Sequence, residues 1–394
     1  MQLLAVAFSC KRRGLCPTCD AKRAAVIAAD AADRLLPPVP YRQWVLVIPK
    51  RLRWYINQRP DLAGELSRIF AGEINRYLRK NAAGAPAQLH FIQRFGGALN
   101  LHIHVHAVVS DGVFSVKPGF AGRRQLCFTP VPGPTGDQLA GIVSAIRRKL
   151  VRRLRRIGGL GAEAAEDMLS WKNPGFSLHK EVCIRGGDRA GLERLLYYCS
   201  RPALSLARLA YSVKGNIVIY RTEIREGRSR LLAMTPVEFL RRWGLLMPPP
   251  NKNLIHYYGA LGPRSPLRPL LTAKASTATA RARLKAKVDT VVESAGKQAR
   301  SWAACLARIF EVTPLICPNC RKELVPVAVI TDDRELVRLL KYLELPTEFP
   351  KIRPAPKSLV REYPPQATGP PDDGCQLDPR ADLYDAIDAP APAD

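Results

Sequence analysis

One segment constrains this 394-residue chain more than any other. Residues 99–109 read LNLHIHVHAVV, in which polar and apolar side chains alternate. Because successive side chains of a β-strand point to opposite faces, His102, His104 and His106 share one face and the aliphatic residues between them share the other. The segment therefore predicts a strand that is buried on one face and carries three imidazoles on the other. Two neighbouring imidazoles on such a face can converge on one divalent cation.

A metal site on this strand needs a further ligand, and the preceding segment offers two candidates. Segments 88–95 and 99–109 are separated only by Gly-Gly-Ala, which is typical of a hairpin. Gln93 and His90 lie on the first strand, and either can reach the histidine face, depending on the register. The sequence leaves both open. A solvated sheet face with no metal is the alternative interpretation.

The remaining periodicities predict an α+β fold. A buried strand starts at Gln43, and apolar residues at three- and four-residue steps predict a helix over 62–78 and another near 138–157. Helices that alternate with strands and hairpins favour a central antiparallel sheet flanked by helices.

The charge balance indicates a polyanionic partner. Lys and Arg number 61 against 34 Asp and Glu, which leaves a formal charge of +27 and favours nucleic acid. The helix near 138–157 carries seven cations opposite its apolar side, among them Arg148, Arg152 and Arg155, which we expect to contact a phosphate backbone. A solvated charged surface is the alternative. No apolar run is long enough for a membrane span and the start is a poor signal peptide, so we expect a cytoplasmic protein.

A third predicted helix, over residues 189–199, carries two adjacent tyrosines, Tyr197 and Tyr198. Its leucines form a buried stripe, and at 100° per residue Tyr198 lies on the flank beside Arg194, whereas Tyr197 points away from the core. A guanidinium beside a tyrosine can bind the same phosphate that the tyrosine contacts. Arg194 and Arg201, three residues after Tyr198, are the candidates for this role. Simple packing is the alternative for both tyrosines.

These segments together resemble a known family. ALNLHIHVHAVVSDGVF, preceded by FIQRFG, is similar to the His-hydrophobic-His (HUH) strand of rolling-circle transposases of the insertion-sequence 91 (IS91) and common-region type. LYYCSRPALSLARL, MPPPNKNLIHYYG and LICPNCRKELVPVAVITDD also resemble family blocks, in the same order. The resemblance covers about residues 5–345.

The resemblance implies an HUH endonuclease-like fold and a set of site residues. His104 and His106 match the pair that holds Mg²⁺ or Mn²⁺, whereas His102 falls where relatives often have another residue. Tyr198 matches the nucleophile, and Arg194 occupies the position of a second tyrosine, so the chain resembles a single-tyrosine variant. The implied reaction is cleavage and rejoining of single-stranded DNA at the ends of its own element through a 5′-phosphotyrosine.

Cysteine spacing predicts zinc. Cys10, Cys16 and Cys19 have knuckle spacing but are one ligand short of a closed site. Relatives carry further ligands upstream, so we expect either a shortened N-terminus or a contribution from the pair Cys317 and Cys320. Ordinary buried cysteines are the alternative for both clusters.

We expect five segments along the chain: a partial zinc-binding module at 1–40, an HUH catalytic domain at 41–263, a basic linker or exposed helix at 264–300, a small CxxC module at 301–347, and a disordered acidic, proline-rich tail at 348–394. Two other functions stay open. A non-catalytic DNA-binding remnant is favoured by the short N-terminus and by Tyr258, which stands where relatives often have His. A replication initiator or relaxase would share the histidines and the tyrosine.

Overall fold

The computed structural model describes residues 14–119, 124–170, 175–222, 231–249, 251–288, 333–342, 344 and 347. The described residues up to 288 belong to one compact unit, and those from 333 onward belong to a second. Among the helices in this part of the chain, none is long and apolar enough to cross a membrane.

The helices of the larger unit are α1 (Pro17–Asp30, continued by a π-helical turn, Ala31–Leu35), α2 (Lys50–Gln58), α3 (Asp61–Asn81), α4 (Gly136–Arg156), α5 (Ala162–Ser170), α6 (Arg189–Ser200), α7 (Pro236–Leu246) and α8 (Arg268–Val288). Its strands are β1 (Tyr41–Val47), β2 (Ala87–Phe95), β3 (Leu101–Ser110), β4 (Gly112–Pro118), β5 (Arg124–Pro130), β6 (Ser177–His179), β7 (Cys183–Ile184), β8 (Leu209–Ser212), β9 (Ile217–Arg221), β10 (Leu231–Met234) and β11 (Ile255–Gly259). The second unit contains α9 (Asp333–Tyr342).

The expected α+β fold with a central antiparallel sheet is confirmed. The sheet has the order β11-β2-β3-β1-β6, and β7 also pairs with β1. The predicted hairpin of β2 and β3 is present, and its register sets Gln93 opposite His104 and Phe91 opposite His106. A β4–β5 hairpin and a three-stranded sheet, β10-β9-β8, complete the strand pairing among the described residues.

One face of the central sheet packs against α2, α3, α4 and α5. On β3 this face carries Ile103, Val105, Ala107 and Val109, all fully buried. They pack in one core with the apolar residues at 66, 70 and 74 of α3 and at 146, 150 and 154 of α4. The aliphatic half of the alternating strand therefore lies where its periodicity predicts.

The other face of the sheet is covered by α1, α6, α8 and the π-helical turn. Val108 of β3 and Leu89 and Phe91 of β2 pack there against Leu192, Leu195, Leu196 and Cys199 of α6. The three histidines of β3 alternate in phase with Val108, so they lie on this second face. The register of β3 thus separates the apolar core from the polar site.

In the segment at 264–300, for which the sequence predicts a linker or an exposed helix, a helix is present, and its start is partly buried. Residues 268–288 form α8, and its Leu271 and Ala275 are fully buried, Leu271 within the core beneath α1 and α6. The start of this segment is therefore integral to the larger unit. The predicted module at 301–347 is described only at α9 and two single residues, and the predicted tail at 348–394 lies outside the described residues.

His90 lies on the wrong face to serve as the third ligand of a site on the histidine face. Its ring is fully buried against α3, with Nδ1 3.1 Å from Ser67 Oγ and Nε2 3.1 Å from Gln88 Oε1. Tyr258 of β11 joins this network by donating to Ser67 Oγ at 3.2 Å. Of the two candidates that the sequence left open, only Gln93 shares a face with His104.

His90 makes the stability of the fold depend on pH. Burial, with a smaller contribution from His256, lowers the pKa of His90 from 6.5 to about 3. Between these values the unfolded chain binds a proton that the folded state excludes, so the free energy of unfolding falls as the pH drops below 6.5, by up to about 1.4 kcal/mol per pH unit. Urea titrations from pH 6.5 downward should therefore give a shallower decline for His90→Gln than for the wild type. Equal slopes would contradict this role of His90.

Candidate active site

The three histidines form a continuous row of rings on β3. The centroids of His102 and His104 are 4.9 Å apart, and those of His104 and His106 are 4.8 Å apart. His102 and His106 are buried, whereas His104 is half-buried. The row thus opens to solvent at its middle ring, with a neighbouring ring on each side.

His104 is held in a form that suits metal binding. Its Nδ1 lies 2.9 Å from the carbonyl oxygen of His102, so Nδ1 carries the proton and donates, which leaves the lone pair on Nε2. Burial lowers the pKa of His104 to about 4, against the opposing effect of this hydrogen bond. The ring is therefore neutral at neutral pH, as a ligand must be.

His106 is positioned by Gln43 of β1, a residue that the sequence analysis did not identify. The amide nitrogen of Gln43 lies 2.9 Å from Nδ1 of His106 and 3.6 Å from Sγ of Cys199. The Nε2 atom of His106 is buried and makes no hydrogen bond. Burial also lowers the pKa of His106 well below its usual value. A signal for Gln43 was present in the sequence, since it is the one amide in the apolar strand YRQWVLV.

Helix α6 positions Tyr198 beside the histidine row. Asp188 caps the helix by accepting from the backbone of Gly191, and Arg201, forced into an extended conformation before Pro202, ends it. Tyr198 therefore lies in the last turn. Its side chain is 44% exposed, and its ring meets that of His106 nearly at right angles with centroids 5.5 Å apart.

The predicted orientation of Tyr197 is wrong. This side chain is half-buried against the second core, and burial raises its pKa. A helical wheel that considers the sheet alone points Tyr197 away from the core, but α1 also packs on α6, and the core that Tyr197 contacts includes Ala28 of α1. Of the two adjacent tyrosines, it is Tyr198 whose ring contacts a histidine, His106.

Gln93 links the sheet to the end of α6. Its amide nitrogen donates to the carbonyl oxygens of Tyr198 at 3.2 Å and Cys199 at 2.8 Å, both of which lack partners within the helix. In this orientation the amide oxygen is the atom that a cation would use. Gln93 therefore fixes the tyrosine-bearing turn over β3 whether or not it also binds a metal.

Three cationic side chains lie at or beside the site. The guanidinium of Arg201 covers the ring of Tyr198 at 4.8 Å and that of Phe95 at 5.7 Å. Arg194, one turn before Tyr198, is exposed. Arg53 of α2, which the sequence analysis missed, is 4% exposed, and its Nε donates to the carbonyl oxygen of Ile48. The charges of Arg53 and Arg201 both contribute to the lowered pKa of His104.

The basic helix lies elsewhere. Arg148, Arg152 and Arg155 are exposed on α4, which packs on the sheet face opposite the histidines. The structure therefore does not bring these predicted nucleic-acid contacts together with Tyr198.

The predicted zinc ligands are only partly described. Cys16 is half-buried at the N-cap of α1, and Cys19 is buried in the first turn of that helix. Cys10, Cys317 and Cys320 lie outside the described residues. Over the described ranges, no group of three or more His, Cys, Asp or Glu side chains is arranged to hold a metal ion. An ion between His104 and His106 would therefore need an amide or substrate oxygen to complete its shell.

Two family models match the chain. The family described as "Putative transposase" (Y2_Tnp) matches residues 88–267, which include β2, β3 and α6. The transposase zinc-binding domain of the IS91 type matches residues 2–48, which include the three N-terminal cysteines. No curated protein and no solved structure matches the chain.

Gln43 should be needed for the stability of this site. Gln43→Leu leaves Nδ1 of His106 without its partner in a buried setting, which costs about 1–3 kcal/mol of the free energy of unfolding. Gln125→Leu, at an exposed position on β5, serves as the control and should change it by less than about 0.5 kcal/mol. Chemical denaturation checks both variants, and equal stability of the two would contradict the role of Gln43.

Proposed function

We propose that this chain is an IS91-type transposase that cleaves and rejoins single-stranded DNA at the ends of its own mobile element through a 5′-phosphotyrosine. One observation carries the proposal: the exposed ring of Tyr198 lies edge-on to His106, on the face of β3 that carries the imidazoles. An accessible hydroxyl nucleophile and adjacent metal-type ligands are the two parts that this chemistry needs.

The residues present fit Mg²⁺ or Mn²⁺ at this site. The buried Nε2 of His106 makes no hydrogen bond, and a metal would satisfy its lone pair. His104 presents Nε2 because its Nδ1 donates to His102. Gln93, opposite His104 in the register, would supply an amide oxygen. A bound ion polarises the scissile phosphate and offsets the negative charge that builds on its oxygens.

The covalent step follows from Tyr198. Its exposed hydroxyl loses the proton to solvent water, and the oxygen attacks phosphorus in line. The bond from phosphorus to the 3′ oxygen breaks, and that oxygen takes up a proton to become a free 3′-OH. The DNA is left joined to the enzyme as a 5′-phosphotyrosine, so a second 3′-OH can displace Tyr198 without a nucleotide cofactor. We assign the phosphates on either side to Arg201, whose guanidinium covers the ring of Tyr198, and to the exposed Arg194.

The zinc-binding match supports Zn²⁺ in the N-terminal module. We propose Cys10, Cys16 and Cys19 as its ligands, with Cys317 and Cys320 as further zinc ligands. The helix that starts at Pro17 holds Cys16 and Cys19 one turn apart, which is the arrangement that a zinc knuckle uses.

The metal proposal predicts a specific loss. The double variant His104→Ala, His106→Ala removes both imidazoles, so its Mn²⁺ affinity should fall by more than the roughly 10–100-fold that loss of an outer-shell partner costs. His256→Ala is the matched control because His256 lies on the opposite face, near Gly64 of α3. Calorimetric titration with Mn²⁺ measures both. Equal affinity of the double variant and the wild type would overturn the site.

Tyr198→Phe tests the covalent step. The variant keeps the ring that packs on His106 and Arg201 but lacks the oxygen nucleophile, so it should bind single-stranded DNA like the wild type and form no adduct. The wild type, with Mg²⁺ or Mn²⁺ and labelled oligonucleotides from the ends of its element, should give an adduct that survives denaturing electrophoresis.

Tyr197→Phe is the matched control for this experiment and should retain the adduct. An adduct that persists in Tyr198→Phe and disappears in Tyr197→Phe would reassign the nucleophile. Intact DNA binding without any adduct would instead support the DNA-binding remnant. Tyr258, which stands where relatives often have His, is one reason for considering the DNA-binding remnant. Its hydroxyl donates to Ser67 of α3, on the sheet face opposite the histidine row, so this residue contributes to the packing of α3.

A further inference from the structure

Helices α3 and α4 form one strongly basic surface, which we name the α3–α4 surface. The two helices together carry eleven Lys or Arg against four acids, a surplus of seven positive charges. They are joined through shared acids: Arg76 of α3 and Lys149 of α4 both pair with the buried Glu73, and Arg153 pairs with Glu65. Two of the four acids, Glu73 and Glu65, are therefore engaged in pairs that join the two helices.

The remaining cations are regularly spaced and exposed. On α4 they occur at steps of three and four residues, which places them on one side of the helix: Arg148, Arg152, Arg155 and Arg156. On α3, Arg79 and Lys80, together with the Glu73-paired Arg76, line a shallow concavity with Asn75 and Gly72. Gly72 has open space above it, so a ligand backbone can approach the helix closely there.

The α3–α4 surface and the Tyr198 site lie on opposite faces of the sheet. With about 10 Å for each packed layer, their solvent-facing sides are at least roughly 20 Å apart. Nucleotides bound directly at Tyr198 therefore cannot also contact α4. A polyanion on the α3–α4 surface is a separate segment of nucleic acid.

The two surfaces also differ in their aromatic content. Beside the active site, the rings of Tyr198 and Phe95 lie under Arg201, an arrangement on which unpaired bases can stack. Helix α4 has no aromatic residue; on α3, Phe70 is fully buried, and Tyr77 is half-buried with its hydroxyl bonded to Pro132. The described part of the α3–α4 surface thus offers phosphate contacts without a stacking platform.

We propose that the α3–α4 surface binds the backbone of double-stranded DNA, as a second DNA site distinct from the one at Tyr198. Each helix has 21 residues and is about 30 Å long, which matches about nine base pairs. This second site depends on the proposed function in one respect, namely that the DNA bound at Tyr198 is single-stranded. Through this site the enzyme binds duplex DNA, either the flank of its own element or a target, while one strand is cut at Tyr198 on the opposite face of the sheet.

Charge-neutralising variants on each helix test this proposal. One carries Arg148→Gln, Arg152→Gln and Arg155→Gln, and the other carries Arg79→Gln and Lys80→Gln. The matched control carries Lys117→Gln, Lys214→Gln and Lys274→Gln, three exposed cations outside the surface. Fluorescence anisotropy over a range of salt concentrations measures the affinity for a 20-base-pair duplex and for a 20-nucleotide single strand, both lengths being about twice the span of a helix.

Both helix variants should lose duplex affinity, and the slope of log affinity against log salt should flatten by up to about 0.9 for each phosphate contact removed. Their affinity for the single strand and their yield of adduct on it should stay within about twofold of wild type. An unchanged duplex affinity, or equal losses for duplex and single strand, would overturn the proposal. Absence of adduct in the wild type, with the duplex loss still present in the variants, would instead count against the function proposed for Tyr198 and leave the duplex site standing.

Discussion

The register of β3 is the constraint on which the rest of the structure depends. Ile103, Val105, Ala107 and Val109 are fully buried against α2, α3 and α4, and burial of the three larger side chains, Ile103, Val105 and Val109, contributes about 1.5–3 kcal/mol each. A slip of one residue would move these side chains to the other face and bury the histidines in the apolar core, which is strongly unfavourable. The apolar half of the strand therefore fixes the polar half, and the three imidazoles are held in a row without needing a metal to order them.

The second requirement is that α6 ends in the right place. Pro202 stops the helix just after Ser200, so Tyr198 lies in its last turn, where the carbonyl oxygens have no helical partners. Gln93 satisfies two of those carbonyls, and Gln43 reaches both His106 and Cys199. The two glutamines thus tie the tyrosine-bearing turn to β2 and β1, the strands on either side of the histidine strand. This arrangement positions the proposed nucleophile through neutral hydrogen bonds, which place no competing charge beside a phosphate.

The sequence was sufficient to predict the parts of the site that local periodicity controls. Alternation placed His104 and His106 on one face, and the three- to four-residue spacing of α6 placed Tyr198 on its flank. Residues whose role depends on tertiary neighbours were not predicted correctly. Tyr197 was assigned to an outward position because the packing of α1 on α6 is not visible in a helical wheel, and Gln43 was missed because its partners are 63 and 156 residues away. The choice between His90 and Gln93 likewise required the register of β2 against β3.

The central claim is that His104, His106 and Tyr198 form one reaction centre around a divalent ion. The most direct test is a crystal structure with Mn²⁺ and a single-stranded oligonucleotide, in which anomalous scattering locates the ion. Our account predicts a peak within about 2.3 Å of Nε2 of both His104 and His106, with the oxygen of Tyr198 turned toward a phosphate bound to the same ion. A peak away from these two histidines, or a phosphate bound to the ion with Tyr198 directed elsewhere, would contradict it.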